Sequence, residues 1–269
     1  MPTLRLPDGL DLSYCLDDFT DPWTKPQTVL LHHGNAKNHR FWYAWVPVLA
    51  RHYRLVRLDA RGFGESGVPP PGFPWSLDVF AGDILKLLDH LRLDQVHFIG
   101  ETIGGTIGMH FACEHPERVR SLTVCTSPFR FTSNYYADSA RMVEEKGVEA
   151  WARHSMARRL EKETDPAHYE WYVRQMARTK PWVVSETHDY LAGKDLSERL
   201  RQIRVPTLIL APEADQHERG IAFEEMHRLI PGSRLVRIEG ASGFVQHSRP
   251  EACARVALDF LRDVDHHSP

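Results

Sequence analysis

Six short apolar segments constrain most strongly how this chain can fold. Each is five to seven residues long and rich in Val, Leu or Ile, as is typical of strands buried on both faces of a sheet. They begin at Thr28, Arg54, Val96, Ser121, Thr207 and Arg234. Helical patterns lie between several of them, including an apolar stripe over 77–91 that Ser76 is placed to cap. This alternation predicts an α/β fold, with a mostly parallel central sheet flanked by helices.

The composition excludes several classes of function. The chain has 269 residues, a formal net charge of −3 and 26% charged residues, with acids and bases mixed along its length. Nucleic acid and anionic membranes are therefore poor candidate partners. Five aspartates in the first thirty residues leave no apolar signal-peptide core, and the four scattered cysteines form no C-x-x-C pair. We expect a cytoplasmic protein, monomeric or homo-oligomeric, that binds a small-molecule substrate.

The segment 129–200 differs from the rest of the chain. It contains no convincing strand and is rich in Arg, Glu and aromatic residues. We interpret it as a helical cap inserted between two strands of the core. The predicted organisation is therefore a first core part over 1–128, the cap over 129–200, and a second core part over 201–269.

A tight turn at 100–104 carries the strongest chemical signal. Its residues read G-x-T-x-G, between a buried strand and a helix rich in small residues. Such a turn holds its central side chain, here Thr102, in a strained conformation that projects into a pocket. The amides that follow lie at a helix N-terminus, where they favour a negative charge. The turn therefore predicts a nucleophile position with Ile103 N–H as one donor of an oxyanion hole.

Four motifs in the same order resemble those of the α/β-hydrolase fold family. They are His32 to Asn35 after one strand, D-x-R-G-x-G-x-S over 59–66, the turn at 100–104, and P-T-L-I-L-A-P-E-A-D over 206–215. Within the family, the loop after residue 59 and the cap are most similar to bacterial 3-oxoadipate enol-lactonase-like hydrolases. The resemblance implies an ester or lactone substrate, Asn35 N–H as the second oxyanion donor, and pocket positions at His33, Gly34 and Glu101.

The catalytic triad that the family implies is altered in this chain. Thr102 stands where the family has serine, and its methyl group restricts χ1. The acid is expected at Asp215, with Glu213 as the rival. Alignment on Phe244 places Gly243 where the family has its histidine, beside Ser242 in the pocket. His247 is the candidate replacement base, and without a base acyl transfer should slow by orders of magnitude.

Three interpretations follow from this pattern. The first is a hydrolase of the esterase or lactonase type with a degenerate triad. The second is a lyase, isomerase or cyclase that uses the oxyanion hole without an acyl-enzyme. The third is a catalytically inactive ligand-binding protein. We expect no cofactor, because the sequence has no metal-ligand spacing, dinucleotide fingerprint or P-loop. The enzyme interpretations are favoured by the intact oxyanion motifs, and the hydrolase by the overall likeness.

Overall fold

The computed structural model describes residues 1–213, 221–241 and 243–267. Their central sheet has eight strands in the order β1-β2-β4-β3-β5-β6-β7-β8. β1 and β2 pair antiparallel, and β2 joins β4 antiparallel, whereas β3 to β8 are mutually parallel. The strands are β1 (Thr3–Arg5), β2 (Asp11–Asp17), β3 (Thr28–His32), β4 (Arg54–Leu58), β5 (Val96–Glu101), β6 (Val119–Cys125), β7 (Thr207–Ala211) and β8 (Arg234–Arg237). The predicted α/β fold and all six predicted strands are confirmed.

Ten α-helices are present in the described part of the chain. They are α1 (Val46–Leu49), α2 (Leu77–Leu91), α3 (Ile103–Glu114), α4 (Ser133–Ser155), α5 (Pro166–Ala177), α6 (Pro181–Leu191), α7 (Ser197–Leu200), α8 (Phe223–Leu229), α9 (Val245–Ser248) and α10 (Pro250–His267). The Ser76 hydroxyl accepts from Val79 N–H at 3.1 Å, so the predicted cap of α2 is confirmed. None of these helices has the length and apolar character needed to cross a membrane.

Apolar side chains fill both sides of the sheet. The stripe of α2 packs with α3 and the sheet in one core cluster, and α1 and α10 pack on the sheet in another. A third cluster joins helices α4 to α6 with Ala36 and Phe41, two residues that follow β3. The segment between β6 and β7, which we call the cap, therefore places helices α4 to α6 over the loop at the end of β3.

The carboxyl ends of the parallel strands meet at one edge of the sheet, where three loops carry backbone strain. Non-glycine residues with positive φ are Ala36 after β3, Thr102 after β5 and Thr126 after β6. The fourth such residue in the described chain, Arg92, ends α2 in the left-handed region. Positive φ is costly for residues with a Cβ, and such strain concentrates at functional sites. The candidate site therefore lies at this strained edge of the sheet.

Candidate active site

Thr102 occupies a sharp turn between β5 and α3. Its φ is 49° and its ψ is −121°, and its N–H donates to Cys125 O at 2.9 Å. The glycines around it are required by close backbone contacts. A Cβ at Gly100 would lie 2.5 Å from Gly104 O, and one at Gly104 would lie 2.4 Å from His33 O. The turn thus has the strand–turn–helix geometry of a nucleophile elbow.

The Thr102 hydroxyl faces the loop that follows β3. A Cβ placed at Gly34 would lie only 1.9 Å from Thr102 Oγ1, and 3.2 Å from Thr102 Cβ. Gly34 is therefore needed to leave room for this hydroxyl. Thr102 is 4% exposed, and no hydrogen bond joins its hydroxyl to an imidazole, amine or carboxylate of another described residue. The hydroxyl therefore faces this loop, which we call the oxyanion loop because it carries the predicted donor Asn35, and makes no hydrogen bond to a basic side chain among the described residues.

The two predicted oxyanion donors come from separate segments, Asn35 from the loop after β3 and Ile103 from the start of α3. Ile103 is the first residue of α3, so its N–H has no carbonyl partner within the helix. No hydrogen bond between described residues uses the N–H of Asn35. The Asn35 side chain points away to the cap, where its Nδ2 donates to Thr187 Oγ1 at 3.0 Å. Both backbone amides can therefore serve a ligand oxygen.

His33 holds the oxyanion loop in place. Its Nε2 accepts from Ala60 N–H at 3.0 Å, so the proton must sit on Nδ1, which donates to Gly34 O at 2.7 Å. Burial lowers the pKa of His33, which favours this neutral form. With both ring nitrogens engaged, His33 is suited to orienting the loop rather than to transferring protons.

A buried cluster of three titratable side chains lies beside the elbow. Glu101 Oε2 is 2.5 Å from Lys37 Nζ and 3.0 Å from His247 Nε2, and both the Lys37 and Glu101 side chains have no exposed area. Lys37 Nζ is also 3.1 Å from His247 Nε2. Glu101 Oε1 accepts from Gly34 N–H at 2.9 Å. The cluster therefore links the loop after β3, the elbow and the start of α9.

The charges in this cluster depend on one another. Burial alone would raise the pKa of the Glu101 carboxyl, but Lys37 and His247 beside it hold that pKa well below its usual value. Burial lowers the pKa of His247 to about 4, although contact with Glu101 opposes this shift. At neutral pH the cluster is therefore a carboxylate and a neutral imidazole held against the lysine side chain, and Gln246 Nε2 donates a further hydrogen bond to Glu101 at 2.8 Å.

Aromatic rings enclose the cluster. Lys37 Nζ lies 4.7 Å from the ring centre of Phe244, 5.8 Å from that of Phe41 and 6.0 Å from that of Tyr172. The His247 ring packs edge-on against Phe41 and Tyr172. Because Tyr172 belongs to helix α5, the cluster lies at the contact between the cap helices and the sheet. The cation faces π-electron density on these sides instead of water.

Backbone of the cap packs closely against Gly243, the position where alignment predicts the family's histidine. Gly243 has φ of +65°, and a Cβ there would lie 2.4 Å from the carbonyl oxygen of Arg158 and 2.8 Å from its carbonyl carbon. Backbone of the cap thus occupies the space that any side chain at 243 would need. Phe244 is buried next to it, and Phe244 O accepts the N–H of His247 at 2.9 Å.

The two candidate acids have different outcomes. Asp215 lies outside the described residues, as does Ser242. The rival Glu213 is described, and its carboxylate accepts Gly240 N–H at 2.8 Å. This contact places Glu213 at the loop after β8, and no hydrogen bond joins its carboxylate to an imidazole within the described residues. Asp215 as the triad acid stays a prediction.

Sequence reasoning missed Lys37, the most unusual residue of the site. A lysine in a loop is ordinarily solvated, and its partner Glu101 is 64 residues away. One signal was available: Lys37 stands two residues after the predicted oxyanion donor, in a motif otherwise built of small and polar residues. In the described parts of the chain, no group of three or more His, Cys, Asp or Glu residues could hold a metal ion.

Comparisons with known proteins agree with this geometry. Residues 27–250 match the family described as alpha/beta hydrolase fold, and the chain belongs to that family. It is 28% identical over 234 residues to 3-oxoadipate enol-lactonase 1 of Acinetobacter baylyi, covering 81% of this chain and 85% of the relative.

Two solved structures share the fold over nearly the whole chain. The enol-lactonase from Burkholderia xenovorans LB400 superposes with a TM-score of 0.88 at 23% identity, covering 97% of this chain and 100% of that one. A thermophilic esterase from Thermogutta terrifontis, solved with malate bound, has a TM-score of 0.83 at 25% identity, with 97% of both chains covered. The predicted resemblance to this family is confirmed.

Proposed function

We propose that this protein is an enzyme acting on a small ester, lactone or related carbonyl compound, whose oxyanion is bound by the amides of Asn35 and Ile103. The observation that carries the proposal is the conformation of Thr102. A non-glycine residue at positive φ costs about 1–3 kcal/mol, and here it places a hydroxyl against the oxyanion loop. The relatives named as an enol-lactonase and an esterase support the same substrate class.

Thr102 is the proposed nucleophile, with Asp215 and His247 as the other candidate catalytic residues. Attack on a carbonyl transfers the hydroxyl proton to a base, and oxyanion donors then stabilise the tetrahedral intermediate by a few kcal/mol each. His247 is neutral near pH 7, as a base must be, but its Nε2 is engaged with Glu101 and Lys37. We therefore expect acyl transfer to be slow unless His247 turns or a water takes the proton.

Covalent labelling tests this proposal. The intact protein is incubated with a fluorophosphonate, and separately with p-nitrophenyl acetate, and its mass is measured before peptide mapping. An adduct on Thr102 that is absent from Thr102→Val supports the nucleophile, since valine keeps the branched shape and removes the hydroxyl. Thr102→Ser is the matched positive control. Labelling of folded Thr102→Ser together with an unlabelled wild type would contradict nucleophilic catalysis by Thr102.

A non-hydrolytic reaction on the same scaffold is the second candidate function. It is favoured by the cap carbonyl at Gly243, which leaves no room for a triad histidine. A lyase or isomerase would use the Asn35 and Ile103 amides to stabilise an enolate, with no acyl-enzyme. Exchange of α-protons of γ-butyrolactone in D₂O, followed by NMR, distinguishes the two. Exchange without a Thr102 adduct supports this second function. The absence of both exchange and adduct supports a protein that only binds its ligand.

A further inference from the structure

An open cleft of about 560 Å³ lies where the cap meets the core. Its volume is typical of sites that bind small organic ligands. One wall comes from β4 and from the segment that follows the oxyanion loop, and the other comes from α5. The lining side chains are those of His39, Arg40, Tyr43, Arg57, His168 and Trp171. None of them belongs to the oxyanion loop, the elbow or the buried cluster, so the cleft is separate from the candidate active site.

Three rings form one aromatic surface of this cleft. The ring centre of Tyr43 lies 5.6 Å from that of Trp171 and 6.1 Å from that of His168, and both pairs pack edge-on. Tyr43 is 51% exposed and Trp171 is half-buried, so both keep ring surface open to solvent. Rings arranged in this way offer a planar apolar ligand both stacking and edge contacts.

The polar groups of the lining side chains are hydrogen-bond donors and imidazoles, with no carboxylate among them. No hydrogen bond or ion pair between described residues uses the Arg40 guanidinium, the Tyr43 hydroxyl or the Trp171 indole N–H. Burial lowers the pKa of His168 and raises that of Tyr43, so both side chains are uncharged near pH 7. The cleft therefore offers donors to a ligand that brings acceptor atoms.

The charges around the cleft leave one cation unbalanced. Arg57 is already paired, because its Nε and NH2 donate to Asp17 at 2.7 and 2.9 Å and its NH1 donates to His39 O at 3.2 Å. Behind the wall, Asp59 accepts from the N–H and Nδ1 of His39 at 2.6 and 2.9 Å. Among the described residues, Arg40 is thus the one cation of the wall without a counter-charge. A guanidinium matches the planar shape of a carboxylate.

We propose that this cleft binds an aromatic monocarboxylate, with its carboxylate on Arg40 and its ring against Tyr43 and Trp171. A carboxylate supplies the one negative charge that the wall lacks, whereas a phosphate ester carries more negative charge at neutral pH than Arg40 balances. Because Arg40 and Tyr43 belong to the core and Trp171 to the cap, the bound ligand contacts both parts. The proposal goes beyond the reaction at Thr102 and does not depend on it.

Isothermal titration calorimetry of the whole protein with three probes tests this site. The probes are 2-naphthoate, 2-naphthamide, which has the same shape without the charge, and cyclohexanecarboxylate, which has the charge without an aromatic ring. We expect 2-naphthoate to bind wild type at least about fivefold more tightly than either of the others. Arg40→Gln should remove its advantage over 2-naphthamide, and Arg40→Lys should keep part of it. Arg255→Gln, which changes an exposed arginine of α10, is the matched control and should keep all of it.

A second variant tests the aromatic contact. Tyr43→Ser should weaken the binding of both naphthalene probes at least about threefold, because both lose the same ring contact. Equal binding of 2-naphthoate and 2-naphthamide by wild type would overturn the proposal, as would a 2-naphthoate affinity that Arg40→Gln leaves unchanged. Thr102→Val should leave the 2-naphthoate affinity unchanged. A loss of binding in that variant would place the ligand at the candidate active site and overturn the proposal too, whatever the labelling of Thr102 shows.

Discussion

Lys37→Met is the substitution whose consequence follows most directly from the structure. It keeps the length and apolar stem of the side chain but removes the ammonium group 2.5 Å from Glu101 Oε2. Glu101 would remain fully buried, with hydrogen bonds from Gly34, Gln246 and His247 but without its lysine partner. Breaking a buried ion pair from one side typically costs about 3–5 kcal/mol, because the remaining charge is uncompensated.

The expected loss is therefore about 3–5 kcal/mol in the free energy of unfolding at pH 7. For a chain of this size about 2–4 °C of Tm corresponds to each kcal/mol, so that Tm should fall by roughly 6–20 °C. Lys37→Met/Glu101→Gln should recover most of this loss, since glutamine is uncharged, has the same shape, and can still accept Gly34 N–H. The wild-type and single-variant stabilities should converge as the pH falls from 7 toward 5, because a Glu101 without Lys37 takes up a proton.

Urea denaturation of wild type, both single variants and the double variant measures the coupling between Lys37 and Glu101. Lys146→Met is the matched control, because Lys146 is exposed, and it should change the free energy of unfolding by less than about 0.5 kcal/mol. A loss below about 1 kcal/mol for Lys37→Met would refute the reasoning. A double variant as unstable as Lys37→Met would do so too, because the uncompensated carboxylate would then not be the cause.

Three other perturbations have defined outcomes. Gly243→His should restore no esterase activity and should lower Tm more than Gly240→His, because both positions have positive φ but only Gly243 faces cap backbone within 3 Å; equal Tm losses would contradict the steric argument. The folded pKa values of His247 and His32, about 4 and about 3, lie below their unfolded value of 6.5. The unfolded chain therefore binds more protons than the folded chain. As the pH falls from 6.5 to 4, each of these histidines should lower the free energy of unfolding, measured in urea, by about 1.4 kcal/mol per pH unit. His32→Leu should remove the contribution of one histidine from this slope. The pKa of Asp265 is lowered to about 2 by hydrogen-bond partners that outweigh its burial. Asp265→Asn should therefore lower the free energy of unfolding by about 1.5–3 kcal/mol. A Tm at pH 7 that this variant leaves unchanged would show that the hydrogen bonds of Asp265 do not stabilise the fold.

The sheet could be predicted because its central strands are continuous apolar runs. Burial on both faces demands such runs, and β3, β5 and β7 are buried along their whole length. The two strands that sequence reasoning missed are the antiparallel ones. β1 has only three residues with mostly exposed side chains, and β2 has polar residues at both ends. Whether such strands form depends on pairing with a neighbouring strand, and a local sequence pattern holds no information on that pairing.

The candidate site was predictable to the extent that it depends on local backbone geometry. The contact between Gly100 and Gly104 that shapes the turn at Thr102 is local, whereas Gly34 and Gly104 are required by contacts between the turn and the loop after β3, which the order of the motifs alone indicated. The buried position of Lys37 was not predictable, because it depends on Glu101, His247 and cap aromatics brought together from distant segments. The glycine at position 243 was visible in the sequence, but the cap carbonyl that leaves no room for a side chain there is brought to it only in the folded chain.

Gly243 and the buried cluster of Lys37, Glu101 and His247 are parts of one structural arrangement. The cap backbone at Arg158 excludes a side chain from position 243, and the loop that holds Gly243 continues into α9, where the ring of His247 contacts Glu101. Glu101 in turn accepts Gly34 N–H and so fixes the oxyanion loop against Thr102. A protein that only binds a ligand needs neither a strained Thr102 nor charges buried beside it, both of which reduce stability. This combination is the reason to favour an enzyme in which the cap and the cluster hold the oxyanion loop in its working geometry.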